Sequence, residues 1–144
     1  AEVVFVARSD IPGRRLAYVV TTGMRLPAFS AASGRVLLAQ QPRPDVARLL
    51  GRTRITRLTR YTVMSKRDIS AMIDQARGDG YAINFQEIEE DLVSASVPVS
   101  NRAGLVVAAL NVSTSASRSS EARMKKELLP KLKETAAALA GMLP

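Results

Sequence analysis

Apolar positions along this chain recur at two periods, two and near 3.6, and the switches between them divide it into short elements. "EVVFVA" (2–7) and "LAYVV" (16–20) predict strands across a turn-rich "RSDIPGRR", close enough to pair antiparallel. "TTGMRLP" reads as a loop. Small residues Ser30 to Gly34, followed by Val36, Leu37 and Leu38, predict a helix over 30–39 closed by Pro42, with a shorter helix over 43–50. Ser65 and Asp68 begin a helix whose apolar stripe is Ile69, Met72, Ile73 and Ala76, ending at Gly78. "GYAIN" (80–84) predicts a strand and "FQEIEED" an exposed acidic loop. "LVSASVPV" (92–99) and "LVVAALNVS" (105–113) predict a hairpin across "SNRAG". Ser119 or Ser120 caps a last helix with Leu128, Leu132, Ala136, Leu139 and Met142 as its buried stripe and a kink at Pro130.

Mixed elements and hairpin-linked strands predict an α+β fold, an antiparallel sheet with helices packed on it, over a doubly wound parallel sheet. At 144 residues, without repeats or a long linker, the chain reads as one domain.

The hairpin strands carry polar groups where their own pattern calls for core. Leu92, Ser94 and Ser96 share one face of their strand, and Asn111 and Ser113 share a face with Val107 and Ala109 on the next. Asn84 ends "YAIN" in the same way. Such groups either satisfy backbone at strand ends or line a cavity for something polar. The small-residue helix start has the same two readings. It suits close helix–sheet packing, and it suits an anion approaching free N–H groups.

The composition narrows the chemistry. With no Cys and no His, disulfides, Cys/His zinc sites and the Ser-His-Asp triad are excluded, and catalysis would fall to carboxylates, Lys or Tyr. The reading is therefore not an enzyme, and no cofactor or metal is expected. The acidic run from Glu87 to Asp91 lacks the spacing of a calcium loop and reads as solvated. The net charge of +8 is concentrated. Eight basic residues between 43 and 67 face Asp45 alone, a net of +7. With Tyr61 the only aromatic among them, that stretch reads as a solvated or partner-facing surface. A basic nucleic-acid-binding module is the alternative function, and a carboxylate-only enzyme the third. Nothing approaches a membrane span, no basic leader precedes "AEVVFVARSD", and the missing Met suggests a fragment of a cytoplasmic protein.

"TGMRLPAFSAASGRVLLAQ" (22–40), "GDGYAINFQEIEEDLVSASVPVSNRAGLVVAALNVS" (78–113) and the closing amphipathic helix resemble the effector-binding domain of IclR-type bacterial transcription regulators. The resemblance covers essentially the whole chain. "TRYTV" (59–63) and "NVSTSASR" (111–118) resemble the PcaR, PcaU and PobR branch, which regulates aromatic-acid and β-ketoadipate catabolism. The resemblance implies a GAF-like curved antiparallel sheet with helices on its faces. It also implies a small-molecule effector cavity, pairing into homodimers or homotetramers, and a winged helix-turn-helix, absent here, that carries DNA binding. The ligand positions it implies are Leu26, Ala32, Ser33, Asn84, Leu92, Ser94, Asn111 and Ser113, and Tyr18 is a further candidate for the apolar wall. Their mixture of apolar walls and neutral hydrogen-bonding groups suits a small organic acid. Its carboxylate would sit at the start of the 30–39 helix, helped by an arginine such as Arg15. The branch points to protocatechuate, 4-hydroxybenzoate or β-ketoadipate.

Overall fold

The computed structural model describes residues 1–10 and 20–144. Two antiparallel sheets and a set of helices make an α+β fold. β1 (Glu2–Val4) pairs with β2 (Arg25–Pro27), with Val3 opposite Leu26. The segment expected to be a loop therefore supplies the partner strand, and backbone bonds from Phe5 to Met24 and from Gly23 to Phe5 continue the pairing. The expected partner strand over 16–20 lies, except for Val20, outside the described residues.

α1 (Ala32–Leu38) and α2 (Arg43–Arg52) follow, with Pro42 ending the connection and capping α2. α3 (Lys66–Asp79) starts as expected, the Ser65 hydroxyl accepting from the N–H of Asp68. It runs past Gly78 and stops at Gly80, which takes the left-handed conformation at φ +76°. Either glycine could have ended the helix. Gly80 does so because only Tyr81 separates it from the strand and it can turn the chain at no steric cost.

β3 (Ala82–Phe85), β4 (Leu92–Ser100) and β5 (Val106–Ser115) form an antiparallel meander. Ala82 stands opposite Ser96, Ser94 opposite Ser113, and Ser96 opposite Asn111. The last helical stretch is α4 (Glu121–Arg123), a wide π turn over Met124–Leu128, and α5 (Leu129–Ala140). Pro130 has no N–H to offer, and the Leu129 N–H reaches back to the Met124 carbonyl instead. This extra residue per turn shifts the buried stripe: Met124, Leu129, Leu132 and Ala136 are buried, whereas Leu128 is only half-buried and Met142 is exposed.

The three-stranded sheet separates two cores. One face, with Val93, Ala95, Val97 and Val99, packs on Met124 and α5. The opposite face, with Ala82, Leu92 and Ala109, belongs to the core built by α1 and α3 around Phe29, Val36, Ile69 and Ile73. Each of those four side chains is at most 1% exposed, worth roughly 1.5–3 kcal/mol by burial. The polar residues of β4 and β5 stand on this second face, the one α1 covers.

Candidate functional site

The start of α1 is unusual in its backbone. Ala31 is the N-cap and offers no side-chain acceptor, and no acidic residue lies in the first turn. Among the described residues nothing accepts from the N–H groups of Ala32, Ser33 and Gly34, nor does the Ser33 hydroxyl have a partner. All three residues are buried. Buried N–H groups are costly to leave unpaired, and a helix start adds partial positive charge. The preceding turn folds tightly over the helix, with Ser30 and Ala31 N–H groups on the Pro27 carbonyl. Gly34 makes that possible, since a Cβ there would lie 2.0 Å from the Ala28 carbonyl oxygen.

On the sheet beneath, three of the sequence candidates form one network. The Ser94 and Ser113 hydroxyls are 2.9 Å apart, and the Asn111 amide donates to Ser113 Oγ at 3.0 Å. All three residues are half-buried, and Asn111 Oδ1 accepts nothing among the described residues. Ser96, one register step along the same face, differs. It is fully buried and donates to the Leu110 carbonyl, which uses it up structurally.

Leu26, Ala32 and Leu92 join the buried apolar cluster on the α1 side. Asn84 is 3% exposed and braces backbone at both ends: its amide donates to the Ser30 carbonyl and its Oδ1 accepts from the Glu87 N–H at 3.0 Å. It thereby ties β3 to the turn before α1. Tyr18 and Arg15 lie outside the described residues.

Sequence reasoning missed the charged pair that holds this arrangement. Arg35, 1% exposed, donates from Nη1 and Nη2 to the two carboxylate oxygens of Glu87, each at 2.7 Å, and from Nε to the Phe29 carbonyl at 2.8 Å. Glu87 is 4% exposed and also accepts from the Val63 N–H. The acidic segment is thus not wholly a solvated loop, because its first carboxylate is drawn inside by the guanidinium. The available signal was Arg35 itself, a cation at a helical position between Ala32, Val36 and Leu38. Thr59 and Thr62 fasten the same loop by donating to the Gln86 and Glu87 carbonyls at 2.6 and 2.8 Å. At the loop's far end, Asp91 accepts from the Ser115 hydroxyl and the Ser117 N–H, which hold its carboxyl below the usual carboxylate range.

Two clefts open away from the candidate network. One, about 190 Å³, runs beside β3 and the end of α3, with Arg35, Glu87, Asp79 and Lys125 among its walls. The other, about 420 Å³ and shallow, lies between the end of α2 and the start of α3 in the basic segment.

Comparison with known proteins gives this geometry a context. A family model described as "Bacterial transcriptional regulator IclR C-terminal" matches residues 1–140. The chain is 33% identical over 129 residues to the Pca regulon regulatory protein of Pseudomonas putida, covering 90% of this chain and 44% of that protein. It is 33% identical over 146 residues to the p-hydroxybenzoate hydroxylase transcriptional activator of Acinetobacter baylyi, covering 99% and 54%. The chain therefore spans about half the length of these curated relatives. Among solved structures, a double mutant of the PobR inducer-binding domain from Acinetobacter, in complex with 3-hydroxybenzoic acid, superposes with a TM-score of 0.90. It is 31% identical, and the match covers 99% of this chain and 83% of that one.

Proposed function

This chain belongs to the IclR C-terminal family of bacterial transcriptional regulators, and we propose on that footing that its effector is a small aromatic or keto/dicarboxylic acid. The observation that carries the reading is the Asn111–Ser113–Ser94 network, half-buried on the sheet face that α1, with its unpartnered first N–H groups, packs against. Apolar walls with a few convergent polar groups are what a small-molecule cavity requires. The acid's carboxylate pairs with the Ala32, Ser33 and Gly34 N–H groups. Its hydroxyl or keto oxygen meets Asn111, Ser113 and Ser94. Leu26 and Leu92 flank it, while Asn84 positions the turn above. The regulatory names of the relatives and the 3-hydroxybenzoic acid held by the PobR domain support an aromatic acid over other anions.

No residue here is assigned a catalytic role. The effector acts by binding one arrangement of associated domains better than another, which shifts the population and, in the intact regulator, its affinity for DNA. The assembly proposed is a homodimer or homotetramer, checked by light scattering across a concentration series.

Isothermal titration of 3-hydroxybenzoate, 4-hydroxybenzoate, protocatechuate and β-ketoadipate tests the reading. One or more of these acids should bind the wild type. Ser113→Ala and Asn111→Ala should each weaken it by about two- to ten-fold, the effect of losing roughly 0.5–1.5 kcal/mol from a hydrogen bond to the ligand's neutral oxygen. Unchanged affinity in both variants would place the site elsewhere.

A further inference from the structure

Positive charge on this chain gathers around the end of α2 and the start of α3, on residues that take no part in the candidate effector network. Of the basic residues between 43 and 67, Arg43, Arg48 and Arg60 are neutralised by Asp74, Asp45 and Glu90. Lys66 spends a proton on the Gly51 carbonyl. Arg52, Arg54, Arg57 and Arg67 are exposed and have neither an ion-pair nor a hydrogen-bond partner among the described residues. Arg52 and Arg54 border the shallow 420 Å³ cleft. Arg52 closes α2 and Arg67 lies in the first turn of α3, and the irregular segment between them, which carries Arg54 and Arg57, is held in place because Thr59 and Thr62 bond the loop after β3.

We propose that this patch docks on the phosphate backbone of duplex DNA, a contact independent of the effector site and of any base-reading element. Four free guanidinium groups between residues 52 and 67, across the end of α2, the connection and the start of α3, suit a dense, repeating anion. Duplex DNA presents a charge about every 1.7 Å along its axis. A guanidinium fork also matches phosphate oxygens two-pronged, which an ammonium does not. Single strands are disfavoured because Tyr61, the segment's one aromatic, lies beneath Arg60 at 5.0 Å and leaves no stacking platform. The contact positions without reading sequence.

Fluorescence anisotropy of a labelled 30-base-pair duplex with the 144-residue chain, from low to moderate salt, tests this. One variant removes the patch (Arg52→Ala, Arg54→Ala, Arg57→Ala, Arg67→Ala). A charge-matched control removes four exposed cations elsewhere (Arg25→Ala, Arg118→Ala, Lys126→Ala, Lys131→Ala). Circular dichroism melts should superimpose for both. The wild type should bind scrambled and natural duplexes alike. In the patch variant affinity at low salt should drop at least about ten-fold, and the slope of log K against log salt should shrink by about 3–4, near 0.9 for each lost phosphate contact. The control slope should change by no more than about 1. Equal losses in both variants would mean diffuse net charge and overturn the proposal. So would an undiminished patch variant. A polyglutamate of equal charge that binds as tightly as the duplex, through the same four arginines, would assign the surface to an acidic protein and overturn it too.

Discussion

Replacing Glu87 with Gln should be among the most damaging single changes in this domain. The substitution keeps the side chain's shape, yet it leaves the Arg35 guanidinium, 1% exposed, without its counter-charge and turns an amide N–H toward one of the arginine nitrogens. Removing one partner of a buried pair costs about 3–5 kcal/mol, because the surviving charge stays desolvated. In a domain whose whole stability is about 5–15 kcal/mol, that is a large share, and it should lower the melting temperature by roughly 10 °C. The pair itself need not be net stabilising. Arg35→Met with Glu87→Leu removes both charges and should be less destabilising than the Arg35→Met and Glu87→Leu single variants added together. Its residual cost is the Phe29 carbonyl and Val63 N–H left unpaired, about 1–3 kcal/mol each at most. Urea unfolding followed by circular dichroism, with the slope m unchanged across the cycle, measures the coupling. A loss under about 1 kcal/mol for Glu87→Gln, or a double variant as unstable as the sum of the singles, would refute the reasoning.

The turn before α1 should reject any side chain at residue 34: Gly34→Ala puts a Cβ against backbone at 2.0 Å and should cost roughly 1–3 kcal/mol in thermal or urea unfolding. Gly80→Ala, at φ +76° with open space around it, should cost about 1–2 kcal/mol through backbone strain alone. Asp91 gives a pH signature. Its carboxyl is held below the ordinary value by Ser115 and Ser117, so its contribution is present above about pH 4 and is lost as pH falls through the depressed folded value. Asp91→Asn should therefore flatten the acid limb of the stability–pH curve, and an unaltered limb would remove Asp91 from the account. Ser96→Ala, which loses only a bond to the Leu110 carbonyl, should lower stability while leaving effector affinity near wild type, the opposite of Ser113→Ala.

Much of the fold was legible because local signals agreed with tertiary need. The Ser65 cap, the period-two hairpin strands β4 and β5 and the short α2 helix all read correctly, since their local signals match what the fold requires there. The misreadings have physical causes. Arg25–Pro27 looks like a turn because three residues show no alternation, and only its pairing with Glu2–Val4 makes it a strand. The register of the last helix depended on how Pro130 resolves its missing donor, which composition does not disclose. At the candidate site, the polar network of β4 and β5 was visible as an interruption of the apolar pattern. Arg35 and Glu87 were not, because a long-range charge pair leaves no periodic trace. Their meeting depends on β3 delivering residue 87 beside α1, which is a property of topology.

The central claim concerns where the acid binds. Backbone amide shifts of the isotope-labelled chain, recorded while 3-hydroxybenzoate is titrated in, test it most directly. The largest shifts should fall at Ala32, Ser33 and Gly34 and at Asn111, Ser113 and Ser94, whose groups surround the proposed carboxylate and hydroxyl positions. Shifts centred instead on Asp79, Tyr81 and Lys125, around the 190 Å³ cleft beside β3, would contradict the account.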